Sequence, residues 1–279
     1  MMVRFRAAAA ATLAGVLCLP PAAFGWGPNT DRLITNKAVD VLPDEIRAYF
    51  EANRLILMQH VLDPIDAAKK NPLLSHNQFI RFEKYGPFPY AELPRDYRVA
   101  SYKFSKRSLD INGLLPWSVG LYSQKLTDAF RAHNWDDARE AAAQLAYYVA
   151  EAHDPFNTTT NFDGHISGQT GIDSRFDTSL VDRYSQFFYV HPNEAVYVQD
   201  PTDHAFEMCL NAHSWIENIL LADRRSRAGL SDYTDEYYDR FYSQAGAVLV
   251  RQISDASTDV ASYWMTAWVN AGKPQLPAR

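Results

Sequence analysis

The stretch NWDDAREAAAQLAYYVAEAHDP, residues 134–155, commits this part of the chain to a long α-helix. Asn134 stands where an N-cap belongs, Asp137 follows three residues later, and alanines with other strong helix formers fill the middle. His153-Asp154-Pro155 ends the run, because proline disfavours helix at the residue before it. Residues 29–42 repeat the helical spacing, with Asn29 or Thr30 as cap and Leu33, Ala38, Val41 and Leu42 on one face. Further helices are expected over PDEIRAYFEANRLILMQHVL, DSRFDTSLVDRYSQFF, PTDHAFEMCLNAHSWIENILLA and the long segment from Asp235, which should break near Gly246. Residues 71–117, rich in Pro, Gly and Tyr, read as a long structured excursion. Strand alternation is weak throughout, so the expectation is an all-α fold.

The first 25 residues, MMVRFRAAAAATLAGVLCLPPAAFG, read as a secretory signal: Arg4 and Arg6, an apolar run, then a small-residue exit. The run is too short for a stable membrane anchor. Export to the periplasm or the medium is therefore expected, with residues 26–279 as a single multi-helix domain beginning at Trp26 and no transmembrane segment. The net charge of −6 becomes more negative once Arg4 and Arg6 are removed, which excludes a general nucleic-acid surface. Cys209 alone then remains, so no intrachain disulfide is available and stability rests on a core drawn from 47% hydrophobic residues.

Tyr147 and Glu151 lie four apart on one helix and share a face; Asn157 follows just after the helix stop. Asp173 and Asp177 repeat that spacing at the next helix start. Two such pairs joined by a loop can converge on a cation. Asp31 and Asp63 are further candidates. Each also has a plain structural reading: Asp63-Pro64 with Asp66, and Asp173, match helix N-caps, while Asp177 benefits from the helix dipole. His60, His76 and His153 show no metal-ligand spacing with one another.

An ordered series of motifs runs along the chain: WG at residue 26, KAVDVLPDEI, HVLDPID, QFIRFEKYGPFPYAELPRDY, NGLLPW, EAHDP, NFDGHISGQTGIDSRFD, YYDRFY and WVNAGKP. In this order they resemble the zinc-dependent phospholipase C and P1-type nuclease superfamily, in its bacterial phospholipase C-like branch. The resemblance implies an all-helical fold, a trinuclear zinc cluster in a cleft, and a phospholipid head group or other phosphate ester as partner. It also implies a ligand set. The N-terminal tryptophan corresponds to Trp26 and the first aspartate ligand, also a candidate general base, to Asp63. The remaining acidic ligands correspond to Glu151 and Asp177. Five family histidines are replaced here, by Asp31, Gln78, Tyr147, Asn157 and Asp173. His153 is retained at a position that supports the site, and Arg81 stands where many relatives carry an acid.

Zinc favours imidazole and thiolate, whereas carboxylates and amides suit calcium, magnesium or manganese. The resemblance therefore implies a degenerate zinc site with weak or no hydrolase activity, the character of a pseudoenzyme. Two alternatives stay open: an active phosphoesterase using Ca, Mg or Mn on oxygen ligands, and a metal-stabilised binding protein. Converging carboxylates about 4 Å apart repel by roughly 4 kcal/mol per pair at an effective dielectric near 20. They need a cation, a raised pKa or a basic neighbour, and Arg81 is the residue expected to replace the metal charge if it points inward.

Overall fold

A computed structural model of the protein describes residues 25–277. The signal-peptide reading thus falls outside the described residues except at Gly25. Twelve α-helical segments and several single turns make up the described chain, which contains no strand. No described helix is long and apolar enough to cross a membrane.

The central element is the helix the sequence announces most clearly. α7, Trp135–Glu151, is capped by the Asn134 side chain, which accepts from the Asp137 N–H, and carries acids in its first turn. From Leu145 to Glu151 every residue is buried, because helices pack around it on all sides: α1 (Pro28–Asp40), α2 (Asp44–His60), α6 (Leu115–Arg131) and α12 (Asp235–Asn270). Its alanines permit close approach. The Trp264 indole of α12 reaches across to donate to the Ala142 carbonyl (2.9 Å) and stacks on Phe50 of α2 at 4.5 Å. Fixing the buried end of α7 fixes Tyr147 and Glu151.

Some local expectations need correction. α1 begins at Pro28 after Gly27, rather than being capped by Asn29 or Thr30, since proline is preorganised for the first helical position. Asp63 opens α3 (Asp63–Lys70) as a helical residue and makes no cap bond. α12 runs unbroken through Gly246. A methyl group there would lie 2.6 Å from the Tyr242 ring, which stacks on Tyr184 at 4.3 Å, so the glycine makes room instead of breaking the helix. Gly246→Ala is accordingly expected to destabilise by about 1 kcal/mol, as overpacking does, against the gain that helix propensity alone predicts. Urea unfolding gives the sign directly.

An extended strap, residues 188–199, lies along α12 without forming a sheet. Its N–H groups at His191, Asn193, Val196 and Val198 donate to Ser254, Thr258, Ser262 and Thr266, a hydroxyl row at every fourth residue. The row pins the strap to the helix and satisfies the buried Val198 N–H. The excursion at residues 71–117 holds two 3₁₀ helices, Pro72–Gln78 and Phe82–Tyr85, the short helices α4 (Tyr97–Phe104) and α5 (Lys106–Asn112), and the start of α6.

Candidate metal centre

Five pieces of chain deliver buried carboxylates to one region. α1 brings Asp31, the last turn of α7 brings Glu151, and the following bend brings Asp154. Beyond a loop, Asp173 sits in the short helix α8 (Ile172–Ser174) and Asp177 in a π-helical turn, Arg175–Ser179. Such π turns concentrate at functional sites. None of the five residues is more than 4% exposed. Oxygens of Asp154, Asp173 and Asp177 all lie within 4.8 Å of one another.

These groups are poorly satisfied. Both Asp31 oxygens, one oxygen each of Glu151, Asp154, Asp173 and Asp177, and the Tyr147 hydroxyl are buried without a hydrogen-bond partner. The few bonds present come from the Asn157 amide to Glu151 (2.7 Å), from the Phe156 N–H to Asp154 (2.9 Å) and from Thr178 to Asp177. Among the described residues no basic side chain forms an ion pair with any of the five. Burial, reinforced by neighbouring carboxylates, pushes Asp31, Glu151, Asp173 and Asp177 well above the usual carboxylate range. It lifts Asp154 to about 7, against the pull of the Phe156 N–H and of Arg81. Such a nest stays folded only by holding protons or a cation.

The structure brings together Asp31, Tyr147, Glu151, Asn157, Asp173 and Asp177. Asp63 does not join them: its side chain is 46% exposed and is held by His60 Nδ1 at 2.7 Å. Gln78 is buried but donates to the Pro64 carbonyl (3.4 Å). His153 turns toward Asp259, whose other oxygen meets His204, each at 2.9 Å. Burial alone would raise Asp259, yet these two imidazoles hold it at about 2. Trp26 is buried and anchored through its indole N–H to Ala150 O (2.7 Å). Gly25 abuts Glu151 and Asn157 so closely that any side chain would overlap them. Arg81 does not supply the missing charge by direct pairing: it donates to the Phe156 carbonyl at 3.1 Å.

Two readings change. Asp173 is no N-cap, because Gly171 in the left-handed region (φ 84°) starts the turn instead and frees the carboxylate for the cluster. Asp154, which in the sequence reads only as part of a helix stop, joins the cluster. Its place three residues after Glu151 was the available signal, since that spacing shares a helix face.

The donors are carboxylates, an amide and a phenol, with no imidazole or thiolate among them. A trinuclear zinc cluster does not fit this set, whereas a single hard divalent cation does.

No family model matches the chain, and no curated protein matches it. Among solved structures, the alpha toxin from Clostridium absonum superposes with a TM-score of 0.51 at 13% identity, covering 89% of this chain. The match takes in 64% of the toxin chain, so this protein spans about two-thirds of that length. At this identity the likeness shows the all-α fold alone, and it supports the fold implied by the sequence resemblance.

Proposed function

We propose that the chain is an exported, phospholipase C-like protein that holds a hard divalent cation in its oxygen-lined centre. Calcium, manganese or magnesium is the ion, and zinc-dependent phosphodiester hydrolysis is weak or lost. One observation carries this reading: five buried carboxylates carry unpartnered oxygens with no paired cationic side chain, and three of them, Asp154, Asp173 and Asp177, bring oxygens within 4.8 Å of one another. The all-α fold and the ordered motifs supply the phospholipase C-like part. Export is consistent with Trp26, because cleavage before it would free an α-amine where Gly25 now meets Glu151. Asp63, tied to His60 and half exposed, is poorly placed to serve as a general base for water held in the cluster.

The test is thermal unfolding of chelator-stripped protein with each divalent ion, run beside hydrolysis of a chromogenic phosphocholine ester. Calcium or manganese should raise the melting temperature while turnover stays near background with every ion, zinc included. Brisk zinc-dependent cleavage, or no response to any hard cation, overturns the proposal.

A further inference from the structure

Between Asp173 and Asp177 stands Arg175, the basic residue nearest to both along the chain, and its side chain pairs with neither. Pointing inward, the guanidinium would take the place of an ion. Instead Nη1 donates to the Thr170 carbonyl at 2.8 Å and Nη2 to the Gln169 carbonyl at 3.0 Å, both in the loop that leads into Asp173. Nε donates to the Tyr237 hydroxyl of α12 at 3.2 Å and to Asp223 Oδ1, in the helix Ile216–Arg227, at 3.3 Å. Asp223 accepts further bonds from the Tyr237 hydroxyl and from Gln169 Nε2 (2.6 Å), and the Gln169 amide oxygen accepts from Arg224 at 3.0 Å. The guanidinium carbon lies 4.0 Å from the Tyr233 ring centroid. Gln169, Arg175, Asp223 and Tyr237 are all buried, none more than 7% exposed.

One turn thus carries two opposite situations. The buried polar atoms around Arg175 are partnered, whereas Asp173 and Asp177 each keep a buried oxygen without a partner and crowd Asp154 within 4.8 Å. Crowded carboxylates push one another apart, so a turn that bears two of them needs a restraint on its far side. We propose that Arg175 is the positioning residue of the cation centre: clamped to Asp223 and Tyr237, it holds the turn in the conformation that presents Asp173 and Asp177 to a single ion. The inference rests on the cation-binding reading above. Desolvation offsets most of what a buried ion pair adds to stability, which leaves conformational restraint as the role of the Arg175–Asp223 pair. The clamp residues touch no ion and act through the backbone from Gln169 to Asp177, where the Arg175 N–H also donates to the Gly171 carbonyl at 3.1 Å. Gly171 is fitted to the clamp, since a methyl group there would lie 2.8 Å from Arg175 Nη1.

Manganese titration tests this, read by calorimetry and by the electron paramagnetic resonance line shape of the bound ion, on wild type, Arg175→Lys, Asp223→Asn, Tyr237→Phe and Leu126→Ala. Leu126 is buried on α6, which carries no cluster or clamp residue, so its truncation controls for lost stability alone. Each titration is run below the melting temperature measured on the same sample. Arg175→Lys and Asp223→Asn should bind manganese at least about tenfold more weakly, the scale found when residues that orient metal ligands are removed. Their spectra should broaden as the ligand geometry loses uniformity. Tyr237→Phe keeps the ion pair and should lose about threefold, a milder case of the same effect. Leu126→Ala, destabilised as core truncations are, should stay within about twofold of wild type. Where the two charge variants do not fold, Tyr237→Phe against Leu126→Ala decides. Clamp variants that lose no more affinity than Leu126→Ala, with an unchanged spectrum, overturn the inference and leave the cation reading intact. Failure of manganese to bind wild type removes both.

Discussion

Stripped of divalent ions, the protein is expected to lose stability as the pH rises from 5 to 8, and a hard cation should restore it. In the unfolded chain the five acids titrate near 4. In the folded chain burial raises them all, Asp154 to about 7 and the others well above their ordinary values. Between those limits the native state holds more protons than the unfolded state, so stability is full below about pH 4 and declines as pH climbs through the folded values. Asp154 alone, moving from 3.8 to about 7, represents a loss on the order of 4 kcal/mol by pH 8. For a domain of this size that corresponds to roughly 10 °C in melting temperature. His204, raised chiefly by its hydrogen bond to Asp259, also favours lower pH, but a cation does not reverse that contribution. The cluster's share is therefore the difference between scans with chelator and with calcium or manganese. A chelated protein that is most stable at pH 8, with no cation-dependent gain, contradicts the account.

Asp173→Asn should act in opposite directions depending on the ion. The substitution keeps the shape of a buried side chain and removes one of the charges crowded within 4.8 Å. At pH 8 without metal it should stabilise the protein by several kcal/mol at most, the scale of one carboxylate repulsion at an effective dielectric near 20. With saturating calcium or manganese the sign should reverse, because a ligand has been lost. In that state wild type gains about 2.7 kcal/mol at an ion concentration one hundred times the dissociation constant, and the variant should lose most of this gain. An ordinary structural aspartate would give a loss under both conditions. Melting curves of both proteins, with and without ion, decide the matter.

Much of this arrangement is legible in the sequence, and the failures have physical causes. α7 announces itself because its cap, alanine content and proline stop agree. Tyr147 and Glu151 follow from its periodicity. Asp63 looked like a ligand because its motif is well formed, yet a histidine one turn earlier claims it, a local competitor that spacing alone does not rank. Asp173 looked like a cap because the left-handed turn at Gly171 is set by the loop before it. The four hydroxyls from Ser254 to Thr266 stand in plain view at helical spacing. Their partner, the strap at residues 188–199, lies more than fifty residues away and carries no complementary pattern, because backbone N–H groups are the same in every sequence but proline. That Arg81 sits against two phenylalanine rings without pairing with an acid is set by the fold and has no signal in the spacing.

Counting ions on the chain is the most direct trial. Equilibrium dialysis of chelator-stripped wild type against calcium, manganese and zinc at pH 7.5 should yield a single equivalent of a hard cation that Asp173→Asn abolishes, and no tightly held set of three zinc ions. Three zinc equivalents retained at nanomolar free metal, or a protein that takes up no ion at all, would show that these carboxylates are arranged for something else.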